Sequence, residues 1–370
     1  KPCATSVTNT LPEGYCALLE DGTVACWGEN REGQVGRGPD ANRFSEPSPE
    51  RVLGLSNVAF LNHTCAIDRD QRAWCWGGGA YFEGEDVVVR VAWAPVEIPL
   101  ERVAWIAPSG SRYLVDGAVT CAVRDSEIVC WGLDEDALVA PIVVGGSTSA
   151  APHRPTTIEL PPGAAIEELG VGRAALARRS DGTLWSWGRI PTLGRLASAP
   201  DAYPQRIELE GISVFDVNDT GACAIARGVA YCWGPPFFPS SPYNEPPFAR
   251  ALPTAIATPE PLVRVSTSGG ANSNFPQRGC GVGVSGDVYC WGDNSYGQAG
   301  DGTFGDARRD RPAVRVVGLP APASDVRVTS KSTCALLTTG KVYCWGDGNQ
   351  GQLGIGILDV SPTPVEAHLP

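Results

Sequence analysis

The tripeptide Cys-Trp-Gly returns along this chain, and in most copies a second cysteine stands nine or ten positions before it. The clearest copies are CALLEDGTVACWG from Cys16, CGVGVSGDVYCWG from Cys280 and CALLTTGKVYCWG from Cys334. Trp-Gly itself occurs at Trp27, Trp76, Trp131, Trp187, Trp233, Trp291 and Trp345. Its mean spacing of about 53 residues marks one supersecondary unit repeated seven times. Repeats of this kind bury their faces only against one another, so the 370 residues read as one closed domain rather than two or three.

Twelve of the 13 cysteines fall into pairs. These are Cys16 with Cys26, Cys65 with Cys75, Cys121 with Cys130, Cys223 with Cys232, Cys280 with Cys290, and Cys334 with Cys344. The shorter spacing suits a hairpin with a two-residue loop, which in the Cys223 pair is Arg227-Gly228. The longer spacing suits a three-residue loop whose last residue is left-handed, where Gly22, Gly286 and Gly340 fall. Either register sets the two cysteines directly opposite one another, close to the Cβ separation a disulfide requires. Closing such short loops is worth about 2–3 kcal/mol per bridge in the entropic account. Zinc is the rival reading, but no Cys-x-x-Cys or His spacing accompanies the pairs. Buried free thiols are the plainer alternative. Disulfides are the reading adopted, and they place the chain in an oxidising, extracytoplasmic setting: secreted, periplasmic or cell-surface. Repeat 4 departs from the pattern, with Ser186 at the second cysteine position and no cysteine before it. Cys3 is left over, as an unpaired thiol or a link to another chain.

Glycine and proline, 44 and 32 in number, make about a fifth of the chain and are spread along it, as many short strands require. A hydrophobic content of 43% is enough for a packed core. The net charge of −12 and the lack of a basic run argue against phosphate backbones and anionic membranes as partners. No apolar stretch approaches the ~20 residues of a membrane helix. The sequence starts at Lys1 and has no methionine, as after removal of a signal peptide, though a trimmed start looks the same.

The last repeat displays the plan. DVRVTSKST alternates, CALL and KVYCWG form the stapled hairpin, Gly-rich DGNQGQLGIG follows, and SPTPVEAHLP supplies a final strand. Four short strands per repeat, without helix periodicity, predict an all-β, seven-bladed β-propeller of four-stranded antiparallel blades with hairpin disulfides in six blades. The approximate blades are 4–53, 54–100, 101–155, 156–208, 209–258, 259–319 and 320–370 of a single domain. After Trp-Gly the repeats continue as W-G-x-N-x-x-G-Q-x-G. Repeat 1 carries Trp27, Gly28, Asn30, Gly33, Gln34 and Gly36; repeat 6 carries Trp291, Gly292, Asn294, Gly297, Gln298 and Gly300. Repeat 7 has Trp345, Gly346, Gly351, Gln352, Leu353 and Gly354, with Gly348 in the Asn position. This pattern resembles the repeats of the regulator of chromosome condensation family, which implies a seven-bladed propeller. Repeats 2 to 5 keep Trp-Gly and lose most of the Gly-Gln-x-Gly turn.

The family resemblance implies no single activity. It includes a nuclear exchange factor for a small GTPase, a plant ultraviolet-B photoreceptor, ubiquitin-ligase domains and a secreted bacterial inhibitor of β-lactamase, which share a protein-binding surface of propeller loops. The photoreceptor's Gly-Trp-Arg-His-Thr motif is absent, and a nucleosome role conflicts with the acidic, cysteine-paired chain. Secreted bacterial members fit the composition best.

Other candidate sites read as structural. The repeat tryptophans fill space between blades, and Trp74 and Trp185 share the strand face of a repeat Trp two residues on. His63 reads as a structural hydrogen-bonding residue, and no nucleophile elbow, zinc helix or phosphate loop occurs. The runs Asp134-Glu135-Asp136 and Glu83-Gly84-Glu85-Asp86 read as solvated loop tips. WGDNSYGQAGDGT resembles a calcium loop in composition but coincides with the repeat turn, so no cofactor or metal is assigned. Two insertions stand out. GGGAYFEGEDVVVRVAWAPVE adds Tyr81, Phe82 and Trp93, and Pro-rich PPFFPSSPYNEPPFARALP adds Phe237, Phe238, Tyr243 and Phe248. Aromatics on stiffened loops suit partner binding, and equally suit capping of the propeller's own apolar surface.

The sequence therefore predicts a non-catalytic secreted or cell-surface module that recognises a protein partner through variable loops, with a further intermolecular link through Cys3 as an option. The alternatives are a secreted hydrolase using acidic residues at the channel mouth, and a structural subunit of a cell-surface assembly.

Overall fold

The computed structural model describes residues 2–109, 118–140, 152–190, 192–234, 251–268, 278–305 and 311–370. They form seven four-stranded antiparallel sheets, each of consecutive strands in simple order. The blades span 4–51, 58–98, 103–158, 166–206, 212–256, 262–315 and 323–366. In such a meander the connections between strands 1 and 2 and between strands 3 and 4 share one end, here called the loop end. The stapled hairpins and the links between blades occupy the other, the hairpin end. No sheet takes strands from both chain ends. Blades 1 and 7 close the ring through side chains and isolated backbone bonds, including Ala4 N to Gly340 O at 2.8 Å and the Tyr15 hydroxyl with Ser332 Oγ at 3.0 Å.

All six expected cysteine pairs stand opposite one another in register at disulfide distance, with Cα separations of 4.0–4.1 Å. Four of them staple hairpins of the longer kind: Cys16 to Cys26, Cys65 to Cys75, Cys280 to Cys290 and Cys334 to Cys344. There Gly22, Gly286 and Gly340 take the left-handed third loop position, and in blade 2 Gln71 takes it at a φ of +62°. The bridges from Cys121 to Cys130 and from Cys223 to Cys232 staple the shorter hairpins. Both residues of each two-residue loop, Asp125 with Ser126 and Arg227 with Gly228, have positive φ, as such a turn needs. In blade 4 Leu176 stands opposite Ser186. Arg195, in the connection that follows, donates to Ser186 Oγ at 3.2 Å and to Asp201 Oδ2 at 2.9 Å and so ties strand 3 to strand 4, leaving the hairpin itself without a staple.

The tryptophans join neighbouring blades. Trp27, Trp76, Trp131, Trp187, Trp233 and Trp345 are at most 1% exposed, and each indole N–H donates to a backbone carbonyl of the preceding blade. The acceptors are Gln352, Gln34, Ala80, Leu138, Thr192 and Gln298, at 2.7–3.2 Å. Where the repeat turn is intact the acceptor is its Gln. The glycine two residues later makes room: a Cβ on Gly36 would lie 2.8 Å from Val52 and 3.1 Å from Trp76. The glycine of Trp-Gly has positive φ in all seven blades, from +82° at Gly77 to +146° at Gly234, where the strand kinks. The turn's Asn is a clamp, since Asn30 Oδ1 accepts from Val35 N and Asn294 Oδ1 from Ala299 N.

Two loop readings are corrected. The first insertion is not a loop: it lengthens strands 3 and 4 of blade 2 into Ala73–Glu83 and Asp86–Ile98, paired down to Glu83 and Asp86. Val87, Val88, Val89 and Val91 continue the ladder, and Ala80 O takes over the acceptor role of the missing Gly-Gln-x-Gly turn. Asp134-Glu135-Asp136 is not a solvated tip either. The Asp134 carboxylate accepts four backbone N–H groups, from Asp136, Leu138, Val139 and Ala140, which shapes the turn offering Leu138 O to Trp187. Asp136 pairs with Arg189 at 3.0 Å.

The latch predicts a paired result in chemical denaturation. Trp76→Phe leaves Gln34 O without its 2.7 Å donor and should cost about 1–3 kcal/mol. Gly36→Ala, which forces a methyl group against Val52 and Trp76 at positive φ, should cost a similar amount or more. The double variant should cost less than the sum, because both changes break the same contact.

Candidate functional site: the channel and the loop end

Each first strand lines the central channel, and each carries a β-bulge near its start, as between Ala4 and Ser6, Ile166 and Glu168, and Ala323 and Asp325. The common bulge keeps the seven strands in phase, so equivalent positions form rings around the axis. One position past the bulge holds Phe60, Trp105 and Glu168; two further on are Thr8, Asn62, Asp216 and Arg327. These residues and His63 surround a cavity of about 100 Å³.

Its walls are of two kinds. Phe60 and Trp105 pack with ring centroids 4.4 Å apart, and the Trp105 indole donates to Leu169 O. Opposite in character are the charged groups. Glu168 Oε2 accepts from Arg178 Nε at 3.0 Å, and Asp216 Oδ2 accepts from Ser266 Oγ and Thr267 N at 2.9 and 2.7 Å. Arg327 donates to Asp325. Burial pushes Glu168 up to about 7 against the opposing pull of Arg178 and Arg327, with the charge of Asp216 adding to the rise. His63, as expected, is held structurally: its N–H donates to Thr8 Oγ1, and Nδ1 lies 2.8 Å from Asn9 O. Burial holds its pKa below the ordinary histidine value. Among the described residues no group of three His, Cys, Asp or Glu side chains is placed to hold a metal ion.

Of the residues proposed from sequence for partner binding, Tyr81, Phe82 and Trp93 lie on the lengthened hairpin of blade 2. Tyr81 is 1% exposed and its hydroxyl donates to Gly77 O, so it presents no surface to a partner. Phe82 packs on Trp131 at 5.6 Å, and half-buried Trp93 lies beneath Arg43 at 5.1 Å. Phe237, Phe238, Tyr243 and Phe248 lie outside the described residues. Cys3 is an exposed thiol at the hairpin end, beside Gly340. Sequence reasoning passed over Glu168, Asp216 and Arg327. A signal was available once the first strands are aligned on their bulge, because Glu168, Asp216 and Arg327 then fall on positions held in other blades by residues such as Phe60, Trp105, Thr8 and Ser266.

The described strands that flank residues 110–117, 141–151, 235–250, 269–277 and 306–310 end at the loop end. Exposed Phe44, Leu196, Phe304, Ile357 and Leu358 also belong to strand 3–4 connections there. No helix among the described residues is long and apolar enough to cross a membrane.

Raised Glu168 has a consequence for stability. Its folded-state pKa lies above the unfolded carboxylate value, so the folded protein binds the proton more tightly and stability falls as pH rises from about 4.5 to about 7. Glu168→Gln should therefore stabilise at pH 8 relative to its effect at pH 4, by on the order of 1–3 kcal/mol. Urea denaturation at the two pH values checks this, and an equal effect at both refutes the assignment.

Sequence profiles described as "Regulator of chromosome condensation (RCC1) repeat" match residues 14–34 and 324–352, and a second such profile matches 339–369. The chain is 26% identical over 364 residues to mouse E3 ubiquitin-protein ligase HERC2, covering 93% of this chain but only 7% of that protein. It is 24% identical over 365 residues to the Arabidopsis thaliana ultraviolet-B receptor UVR8, covering 92% of this chain and 76% of the receptor. The structure of yeast RCC1 (Prp20), solved with Kap60 bound, superposes with a TM-score of 0.69 at 18% identity, covering 97% of this chain and 85% of that one. Repeat motif, blade count and profile matches agree: the chain is a seven-bladed β-propeller that carries regulator of chromosome condensation repeats at residues 14–34 and 324–369.

Proposed function

We propose that this propeller is a non-catalytic binding module of an oxidising compartment that takes a protein partner on its loop end. The observation that carries the reading is the one-sidedness of the variation. The hairpin end is short and stapled, whereas every long connection and most exposed large apolar residues of the turns fall at the loop end. Rigid blades presenting variable loops are the usual arrangement for recognition. Yeast RCC1, of like fold, is known in complex with Kap60, which makes a protein partner the natural class. The six cysteine pairs support an extracytoplasmic location, because glutathione-buffered compartments reduce such bridges. The excess of acidic residues supports a protein rather than a nucleic-acid partner.

Two measurements test this. Capture of binding proteins from the native source should be lost on Phe304→Asp with Ile357→Asp, and on Phe237→Ala with Phe238→Ala. It should survive Val263→Asp with Val284→Asp at the hairpin end. Loss only with the hairpin-end pair would place recognition at the wrong face. Non-reducing mass spectrometry of protein from the native source should show six intramolecular bridges and one alkylatable thiol, Cys3. Free thiols at Cys16 and Cys26 would rule out the oxidising compartment.

A further inference from the structure

We propose that the channel cavity is a binding site for a cation rich in N–H donors, a guanidinium or primary ammonium group. The argument begins with hydrogen-bonding capacity left over after the protein's own bonds are made. Glu168 uses Oε2 on Arg178, and Asp216 uses Oδ2 on Ser266 and Thr267. Glu168 Oε1 and Asp216 Oδ1 have no partner among the described residues. With Nδ1 of His63 donating to the Asn9 carbonyl, the neutral ring turns Nε2 into an acceptor, also without a partner there. Asn62 spends its amide N–H on Ile106 O, which leaves its carbonyl oxygen. All four residues line the same cavity.

This surplus of acceptors selects the ligand's chemistry. An anion would meet two carboxylates. A quaternary ammonium or an alkali ion offers no N–H to satisfy directed lone pairs. A guanidinium or ammonium offers three or more, and the packed rings of Phe60 and Trp105 supply the aromatic wall on which such cations rest. Arg327 is already engaged by Asp325, so it limits the site's charge without occupying it. A cavity of about 100 Å³ holds a head group of a few heavy atoms and no larger ligand. The head group could be a free small molecule or the end of an arginine or lysine side chain. The site does not depend on where a protein partner docks.

The test titrates the oxidised full chain with methylguanidinium chloride, following tryptophan fluorescence, against sodium chloride and tetramethylammonium chloride at matched ionic strength. The expected result is a saturable change with methylguanidinium alone, absent in Trp105→Phe. Glu168→Gln and Asp216→Asn should each weaken it roughly tenfold. Calorimetry of the unsubstituted chain keeps the proposal testable if these variants unfold. Cation binding should draw a proton off Glu168, so affinity should rise between about pH 6 and about pH 8 with measurable proton release. To separate the sources, an acetylated Gly-Arg-Gly amide is compared with methylguanidinium. Roughly tenfold tighter binding of the peptide assigns the site to a polypeptide side chain, and equal binding to a free solute. A response that matches sodium chloride, or affinity that is independent of both substitution and pH, overturns the proposal.

Discussion

The bond from six of the seven repeat tryptophans to a carbonyl of the preceding blade holds the rest of the structure in place. A single blade cannot bury both its faces, so the interface between blades is where the propeller gains its stability. The latch puts the largest side chain of the repeat into that interface and satisfies its one polar atom there. The remaining features of the repeat serve it. The glycine after Trp kinks the strand, the Gln supplies the acceptor and the last glycine clears space for the incoming ring. Where a repeat has lost the turn, an equivalent carbonyl is rebuilt by other means: a lengthened hairpin in blade 2, a carboxylate-capped turn in blade 3.

The blade plan could be read from the sequence because each repeat carries its own copy of the instructions. Register, staples and hairpin loops depend on residues within a dozen positions of one another, and these were legible. The insertion around Tyr81 was not. Its glycines read as loop, while the pairing of Gly78, Gly79 and Ala80 with Val91, Arg90 and Val89 depends on a second strand whose valines suit either a ladder or a loop. The Asp134 turn escaped for a related reason: acidic runs are usually solvated, and only the folded backbone shows four N–H groups converging on one carboxylate.

The channel lies at the opposite extreme of legibility. His63, Trp105, Glu168, Asp216 and Arg327 come from five blades, and only closure of the ring brings them together. Nothing local marks them, because each sits in or beside an ordinary short strand. The common bulge is what makes their meeting reproducible, since a slip of one residue in any first strand would rotate its channel-lining side chains into the blade interface. The fold thus fixes the geometry of a polar cluster whose chemistry the repeat motif does not encode.

Blade 4 lends the ring an asymmetry in time as well as in covalent structure. Six hairpins cannot separate their middle strands without breaking a covalent bond, whereas in blade 4 Leu176 and Ser186 are joined by the ladder without a covalent bond. Fluctuations that peel strands from the ring therefore concentrate there. Its amides should exchange with solvent through a lower-energy opening than their counterparts elsewhere, and a protease probing the native state should meet its first foothold in that blade.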